Sequence, residues 1–194
     1  GKKLDILTIN PHDIDEIMLT INEISKKIGF EEKGKKIVES LRVKIEYIKN
    51  KEFTHNPTVL AIEWIEPFFT AGHWVPQMIE IAGGKNLISK KGEHSRKMTF
   101  DEIKNTKPEI IIFMACGFGV ERTIKEYKNV LSTNLEWNTL QAVRDQNVYA
   151  VDANSFFSKP SLRTITGIEI LAKIIQPITF NELEVPIGSF RKII

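Results

Sequence analysis

Segments typical of buried β-strands alternate with segments typical of helices along most of this 194-residue chain. The runs TVLAIEW, EIIIFMA and NVYAVD are apolar at almost every position, as strands are when both faces of a parallel sheet are covered. Amphipathic segments with helical periodicity separate them. Because parallel neighbours need a long, usually helical, crossover between them, this alternation predicts an α/β fold with an open parallel sheet.

Further helices are predicted on both sides of this core pattern. LDILTI at 4–9 is a short β-prone run, and the helix expected after it stops at Gly29. A second helix is predicted from Glu31 to about Lys51, roughly 30 Å long at 1.5 Å per residue, which is enough to span a domain. The last helix, in PSLRTITGIEILAKII, is expected to carry Pro160 in its first turn.

Composition excludes several classes of protein. Lys plus Arg total 27 and Asp plus Glu total 25, and a net charge of +2 without a basic stripe gives no reason to expect nucleic acid as a partner. The longest apolar runs are far shorter than the roughly 20 residues of a membrane-spanning helix. The single cysteine, Cys116, rules out an internal disulfide. No signal peptide is recognised at the start of the chain.

Aromatic side chains are concentrated after the predicted strands. In open α/β sheets, ligands bind beyond the carboxyl ends of the strands, and the segments there are EWIEPFFTAGHW, CGFG and DANSFF. We expect their side chains to line one edge and to form a broad apolar surface for a large organic ligand. The alternative for any single ring is that it closes the top of the core. The expected lining residues are Glu66, Phe68, Phe69, His73, Trp74, Phe118, Phe156 and Phe157.

Catalytic and metal chemistry receive less support. His12, His55, His73 and His94 lie in different segments without the i, i+4 spacing of a helical zinc pair, which argues against a histidine metal site. Cys116 follows an apolar strand, where a cysteine is more often a small buried apolar residue than a nucleophile. A small α/β enzyme that uses Cys116 or His73 remains an alternative.

Three stretches carry a family resemblance: VLAIEWIEPFFTAGHWVPQMIEIAGGKNLI, TFDEIKNTKPEIIIF and VYAVDANSFFSKPSLR. Together they resemble the C-terminal portion of the cobalamin-binding substrate-binding proteins of ABC importers. That family has the helical-backbone (class III) periplasmic-binding-protein fold, in which two α/β lobes are joined by one long helix. The resemblance implies that this chain is an open parallel-sheet lobe of that fold, with most of the N-terminal lobe missing.

The resemblance also implies a division of the chain. Residues 1–30 would be a remnant of the N-terminal lobe, 31–54 the long connecting helix, and 55–177 the C-terminal α/β ligand-binding lobe. Residues 178–194 extend past the matching part, and an added edge strand is one interpretation of them. Whether the absent lobe is supplied by a second chain, was lost by truncation or never existed stays open at this point.

The function implied is capture of a cobalamin-like corrinoid outside the cytoplasm and delivery to an ABC transporter permease. Such a protein is not an enzyme and has no intrinsic cofactor. A haem or ferric-siderophore binder of the same fold is the nearest alternative. Relatives carry an acidic residue that docks on the permease, whereas the corresponding position here is Ser158, followed by Lys159.

The ligand surface implied by the motifs comes from all three strand-end loops. Aromatic rings would pack on a macrocycle face, while Asn154 and Arg163 would bind its amide or phosphate periphery. His73 is the one candidate ligand to a bound metal centre. The full set is Trp64, Glu66, Phe68, Phe69, Gly72, His73, Trp74, Cys116, Gly117, Phe118, Asn154, Phe156, Phe157 and Arg163.

Overall fold

Helices cover both faces of a five-stranded sheet in the structure, a computed structural model that describes residues 4–194. The strands are β1 (Val59–Trp64), β2 (Phe69–Thr70), β3 (Ile110–Phe113), β4 (Val148–Val151) and β5 (Phe190–Lys192). The helices are α1 (Ile14–Lys27), α2 (Glu31–Lys49), α3 (Val75–Ile81), α4 (Phe100–Asn105), α5 (Val120–Val130), α6 (Gln141–Arg144), α7 (Ala153–Phe156) and α8 (Arg163–Ile175), with a 3₁₀ turn at Trp137–Thr139.

The sheet has the order β2-β1-β3-β4-β5. Its three central strands are parallel, with Val59 opposite Ile110 and Ile111 opposite Val148. The two edge strands, β2 and β5, are antiparallel to their neighbours. The predicted open parallel sheet is therefore confirmed for the central strands, and the carboxyl ends of β1, β3 and β4 reach the same edge.

Side chains of each central strand alternate between two apolar layers. Val59 and Ala61 of β1 belong to the larger core beneath α1, α3 and α8, whereas Leu60 and Ile62 belong to the core beneath α4 and α5. Ile111 and Ile112 of β3 are fully buried on opposite faces in the same way. Burial on both faces explains why these strands are apolar at nearly every position.

The first two helices pack closely where Gly34 of α2 faces Ser25 of α1. A Cβ added at Gly34 would overlap the Ser25 side chain, so the absence of a side chain sets the distance between the helices. At the start of α1, the Asp13 side chain accepts a hydrogen bond from the Glu16 N–H and caps the helix. The second helix contains 19 residues and ends at Lys49, two residues before the predicted end.

Two expectations about local structure are wrong. Residues 4–9 form no strand and are exposed, with Leu4 at 80% and Ile6 at 76% of full exposure. No described strand lies beside them to pair with, and β-propensity alone does not form a strand. Pro160 precedes α8 rather than lying in its first turn, because the helix begins at Arg163.

The C-terminal segment adds an edge to the sheet. β5 pairs with β4 through Tyr149 and Lys192, Ala150 and Arg191, and Val151 and Phe190. Residues 178–194 therefore contain one edge strand, β5. Within residues 4–194, no helix combines the length and apolar character needed to cross a bilayer.

Candidate functional site

Hydrogen bonds join the three loops that follow the parallel strands. The Cys116 N–H donates to the Glu63 carbonyl at 3.2 Å, and the Gly117 N–H donates to Ser158 Oγ at 2.9 Å. The Asn154 N–H donates to the Phe118 carbonyl at 3.1 Å. We call this joined surface the carboxyl edge; it consists of residues 63–74, 114–119 and 152–158.

The exposed part of the carboxyl edge includes one indole and one thiol. Trp64 is 39% exposed, Phe69 is half-buried, and Cys116 is exposed beside them. Together with Glu63 they line an open groove of about 270 Å³. Gly117 is exposed next to Cys116, and Asn154 is exposed in α7.

Other rings at this edge are buried, which corrects the expectation of a rim made of exposed rings. Trp74 and Phe118 are each 7% exposed, and Phe157 is 4% exposed. The Trp74 indole N–H donates to the Phe157 carbonyl at 3.0 Å, so a hydrogen bond joins the 63–74 and 152–158 segments. The Phe118 ring meets Trp64 edge to face at 5.3 Å, and the Arg122 guanidinium lies 3.6 Å from its centroid.

Of the remaining predicted residues, two pack against the core and two are exposed. Phe68 stacks on Trp137, with ring centroids 5.7 Å apart, and therefore packs in the core under α4 and α5 rather than on the edge. Phe156 is half-buried against the core under α8. Glu66 is exposed, and its carbonyl accepts a hydrogen bond from the Trp64 indole. Arg163 is exposed at the first residue of α8.

A second, smaller cavity lies between the loops of β1 and β4. It has a volume of about 100 Å³. The residues around it include Glu63, Trp74, Met114, Phe157 and Ser158. Small-molecule sites usually have volumes of about 300–1,000 Å³. A large ligand would therefore cover this cavity and send one substituent into it, rather than enter it whole.

Glu63 is a polar residue of the edge that the sequence interpretation missed. It lines both the groove and the smaller cavity. Burial raises the pKa of its carboxyl, although hydrogen bonds from the Ser95 hydroxyl and the Gly72 N–H act in the opposite direction. The signal was present in the sequence as a single carboxylate in the otherwise apolar strand VLAIEW.

Three histidines from separate segments meet beside this edge, which sequence spacing did not indicate. His73 Nε2 lies 3.0 Å from His94 Nδ1, and the His12 ring lies 5.9 Å from that of His73 and 5.4 Å from that of His94. Burial, followed by the neighbouring His94 and His12, lowers the pKa of His73. Among residues 4–194, no three metal-ligating side chains are arranged to hold an ion.

An open α/β sheet with a groove and a cavity at its carboxyl edge is the arrangement in which α/β proteins commonly bind ligands. The chain belongs to the periplasmic binding protein family, whose model matches residues 3–155. Solute-binding proteins of this family bind a transported ligand and carry no intrinsic cofactor, and the family is not a class of enzymes.

Individual relatives agree with this assignment. The chain is 26% identical over 120 residues to the high-affinity heme uptake system protein IsdE of Staphylococcus aureus, an alignment that covers 60% of this chain and 40% of that protein. An ABC transporter substrate-binding protein from Listeria monocytogenes has a similar fold, with a TM-score of 0.76 and 22% identity over 86% of this chain and 66% of that one. S. aureus IsdE complexed with heme gives a TM-score of 0.74 and 19% identity, with 84% and 65% covered.

The chain spans only part of these relatives, about two fifths of the curated IsdE sequence and just under two thirds of the two solved structures. The structural likenesses establish the fold. What the longer proteins bind is a property of those proteins.

Proposed function

We propose that this chain forms one wall of the ligand cleft of an ABC importer's substrate-binding protein, and that it captures a large metal-chelate nutrient, in the first place a cobalamin-like corrinoid. The complex would deliver the ligand to a membrane permease from outside the cytoplasm. The observation that carries this proposal is the carboxyl edge, where three loops are tied together and present Trp64, Cys116 and Asn154 to solvent.

A broad, flat ligand fits the shape of this edge. The groove beside Trp64 is open and the adjacent cavity is small, so the edge offers a platform with one recess rather than a closed pocket. A macrocycle can stack on the indole and place a peripheral substituent in the recess. A single wall leaves the other face of such a ligand in water, and apolar contact there would add about 25 cal/mol per Å² of buried area. A second wall is therefore expected to raise the affinity strongly.

Haem is the second candidate, because the relative IsdE is a heme uptake protein and its solved structure contains heme. A ferric siderophore is a third, since an Fe³⁺-hydroxamate transport protein from Saccharomonospora viridis has the same fold, with a TM-score of 0.68 and 16% identity over 85% of this chain and 57% of that one. His73 is half-buried at the border of the small cavity and remains the predicted ligand to a bound metal.

A titration with three ligands tests the proposal. Dicyanocobinamide, haemin and a ferric hydroxamate siderophore are each added to the chain, while ligand absorbance and tryptophan fluorescence are recorded. Trp64→Ala is expected to weaken binding of the preferred ligand about tenfold or more, because a stacked ring and its buried area together contribute about 1.5–2 kcal/mol. Leu135→Ala removes another exposed apolar side chain, 84% exposed on the connection after α5, and is expected to leave binding unchanged.

The proposal fails if none of the three ligands changes either signal at millimolar concentration. It also fails if Trp64→Ala binds as tightly as the wild-type chain. Rapid reaction of Cys116 with a thiol probe at neutral pH, in a chain that binds none of the ligands, would favour the α/β enzyme instead.

A further inference from the structure

Glu63 is the residue that the groove and the small cavity have in common. It belongs to the lining of both spaces and is half-buried, so a ligand on the edge would pass directly over it. In the described part of the chain, residues 4–194, no basic side chain lies within ion-pair distance of this carboxylate. A half-buried acidic group without a neighbouring cation is noteworthy, because burial disfavours its charge.

Protein donors satisfy only part of the carboxylate. The neighbouring Ser95 hydroxyl and Gly72 N–H lower the pKa of this carboxyl and so favour its ionised form, but an ionised carboxylate has about four acceptor positions on its two oxygens. Because Glu63 lines both the groove and the cavity, a ligand bound there can reach the remaining acceptor positions. A ligand group that binds here must therefore donate hydrogen bonds.

We propose that Glu63 is a specificity-determining residue that selects a macrocycle bordered by primary amides over one that carries carboxylates. This inference rests on the proposed function and identifies the ligand class for the same edge. A primary amide brings two N–H donors and no charge, and its size suits a recess of about 100 Å³.

The charge of Glu63 opposes the other ligand class. The peripheral propionates of haem are anionic, and two carboxylates in a partly desolvated site repel each other. Hydrogen bonds to a charged acceptor are stronger than hydrogen bonds between neutral partners. Replacing the charged acceptor by a neutral one of the same shape is therefore expected to weaken the binding of an amide ligand about five- to tenfold and to strengthen the binding of a carboxylate ligand.

The test compares dicyanocobinamide with haemin on the 194-residue chain and on Glu63→Gln, which keeps the shape of the side chain and removes its charge. The wild-type chain is expected to bind dicyanocobinamide more tightly, and the ratio of the two dissociation constants is expected to change at least tenfold in Glu63→Gln. Glu136→Gln removes an exposed charge from the connection after α5 and is expected to leave the ratio unchanged.

A second measurement uses the wild-type chain alone and does not depend on the variant folding. A cobinamide whose peripheral amides have been hydrolysed to carboxylates is expected to bind at least tenfold more weakly than the intact amide form.

The outcomes separate this inference from the proposed function. Equal affinities for the two cobinamides, a wild-type preference for haemin, or an unchanged ratio in a folded Glu63→Gln chain would refute selection by Glu63 while leaving a receptor for macrocycles in place. Failure of the wild-type chain to bind dicyanocobinamide, haemin or a ferric hydroxamate siderophore would refute both proposals together.

Discussion

Replacing Gly72 by alanine tests how the carboxyl edge is held in shape. Gly72 is buried in the turn between β2 and α3, and the 93–95 segment crosses directly over it. A Cβ at this position would overlap the Ser95 nitrogen and lie 2.7 Å from both the Glu93 oxygen and the His94 carbonyl carbon. These are backbone atoms, so no change of side-chain rotamer can relieve the contact.

The expected loss of stability follows from the displacement of the 93–95 segment by the added Cβ. Overpacking at a close contact typically destabilises a protein by about 1–3 kcal/mol. Moving the segment also strains the hydrogen bond from the His73 N–H to the Glu93 carbonyl, which is 2.6 Å long. A Gly→Ala change recovers about 0.4–1 kcal/mol because the unfolded chain becomes less flexible. We therefore expect Gly72→Ala to lower the free energy of unfolding by about 2 kcal/mol.

Urea denaturation followed by far-UV circular dichroism measures this loss. For a chain of this size, about 2 kcal/mol corresponds to a fall of about 4–8 °C in the melting temperature. The same variant is expected to weaken ligand binding, because Gly72 and Glu63 line the same small cavity and Gly72 moves with the turn.

Gly119→Ala is the matched control. No atom lies within 4 Å of a Cβ at Gly119, and its φ of −85° suits any residue. The reduced flexibility of the unfolded chain and the poorer N-cap nearly cancel, so a change within about 0.5 kcal/mol is expected. If Gly72→Ala is as stable as the wild-type chain and as Gly119→Ala, the close approach does not hold the edge in shape.

Three further predictions concern other parts of the chain. Because its pKa is lowered in the fold, His73 takes up a proton more readily in the unfolded chain, so stability is expected to fall as pH decreases below about 6.5. His94→Asn should make this fall shallower in thermal melts at pH 5–8. Parallel curves for the variant and the wild-type chain would show that His94 does not contribute to the lowered pKa of His73. Gly34→Ala is expected to cost about 1–3 kcal/mol through its overlap with Ser25, and Ser25→Gly should reduce that cost in a double-mutant cycle, whereas purely additive effects would show that the two do not touch. Cys116 is exposed beside Trp64, so a saturating ligand is expected to slow its labelling by a thiol reagent at least tenfold, and an unchanged rate would place the ligand elsewhere.

The strands of this fold could be predicted where burial alone determines the residue types. β1, β3 and β4 are covered on both faces, and their apolar runs follow from that position. The run at 4–9 has the same kind of composition, but no described strand lies beside it, so it forms no strand in spite of its β-propensity. β2 has only two residues and was missed, because a strand of that length leaves no pattern in the sequence.

The candidate site was harder to predict because residue type does not say whether a ring meets a ligand or its own protein. Trp64 and Trp74 lie ten positions apart in the same segment, yet one is 39% and the other 7% exposed. The difference is decided by Phe157, whose carbonyl accepts the Trp74 indole hydrogen bond from 83 positions away. Separations of that kind, like those that bring His12 to His94, cannot be read from local spacing.

The division between buried and exposed rings gives the edge two separate properties. Trp74 and Phe157 belong to the core that also contains residues of α3 and α8, and their hydrogen bond joins the loops that follow β1 and β4. Trp64 is partly exposed and can supply contact area. Because a preorganised wall loses little conformational entropy when a ligand arrives, most of the contact energy at Trp64 is available for binding. Under the proposed function, variants of Trp64 should therefore act on binding and variants of Trp74 mainly on stability.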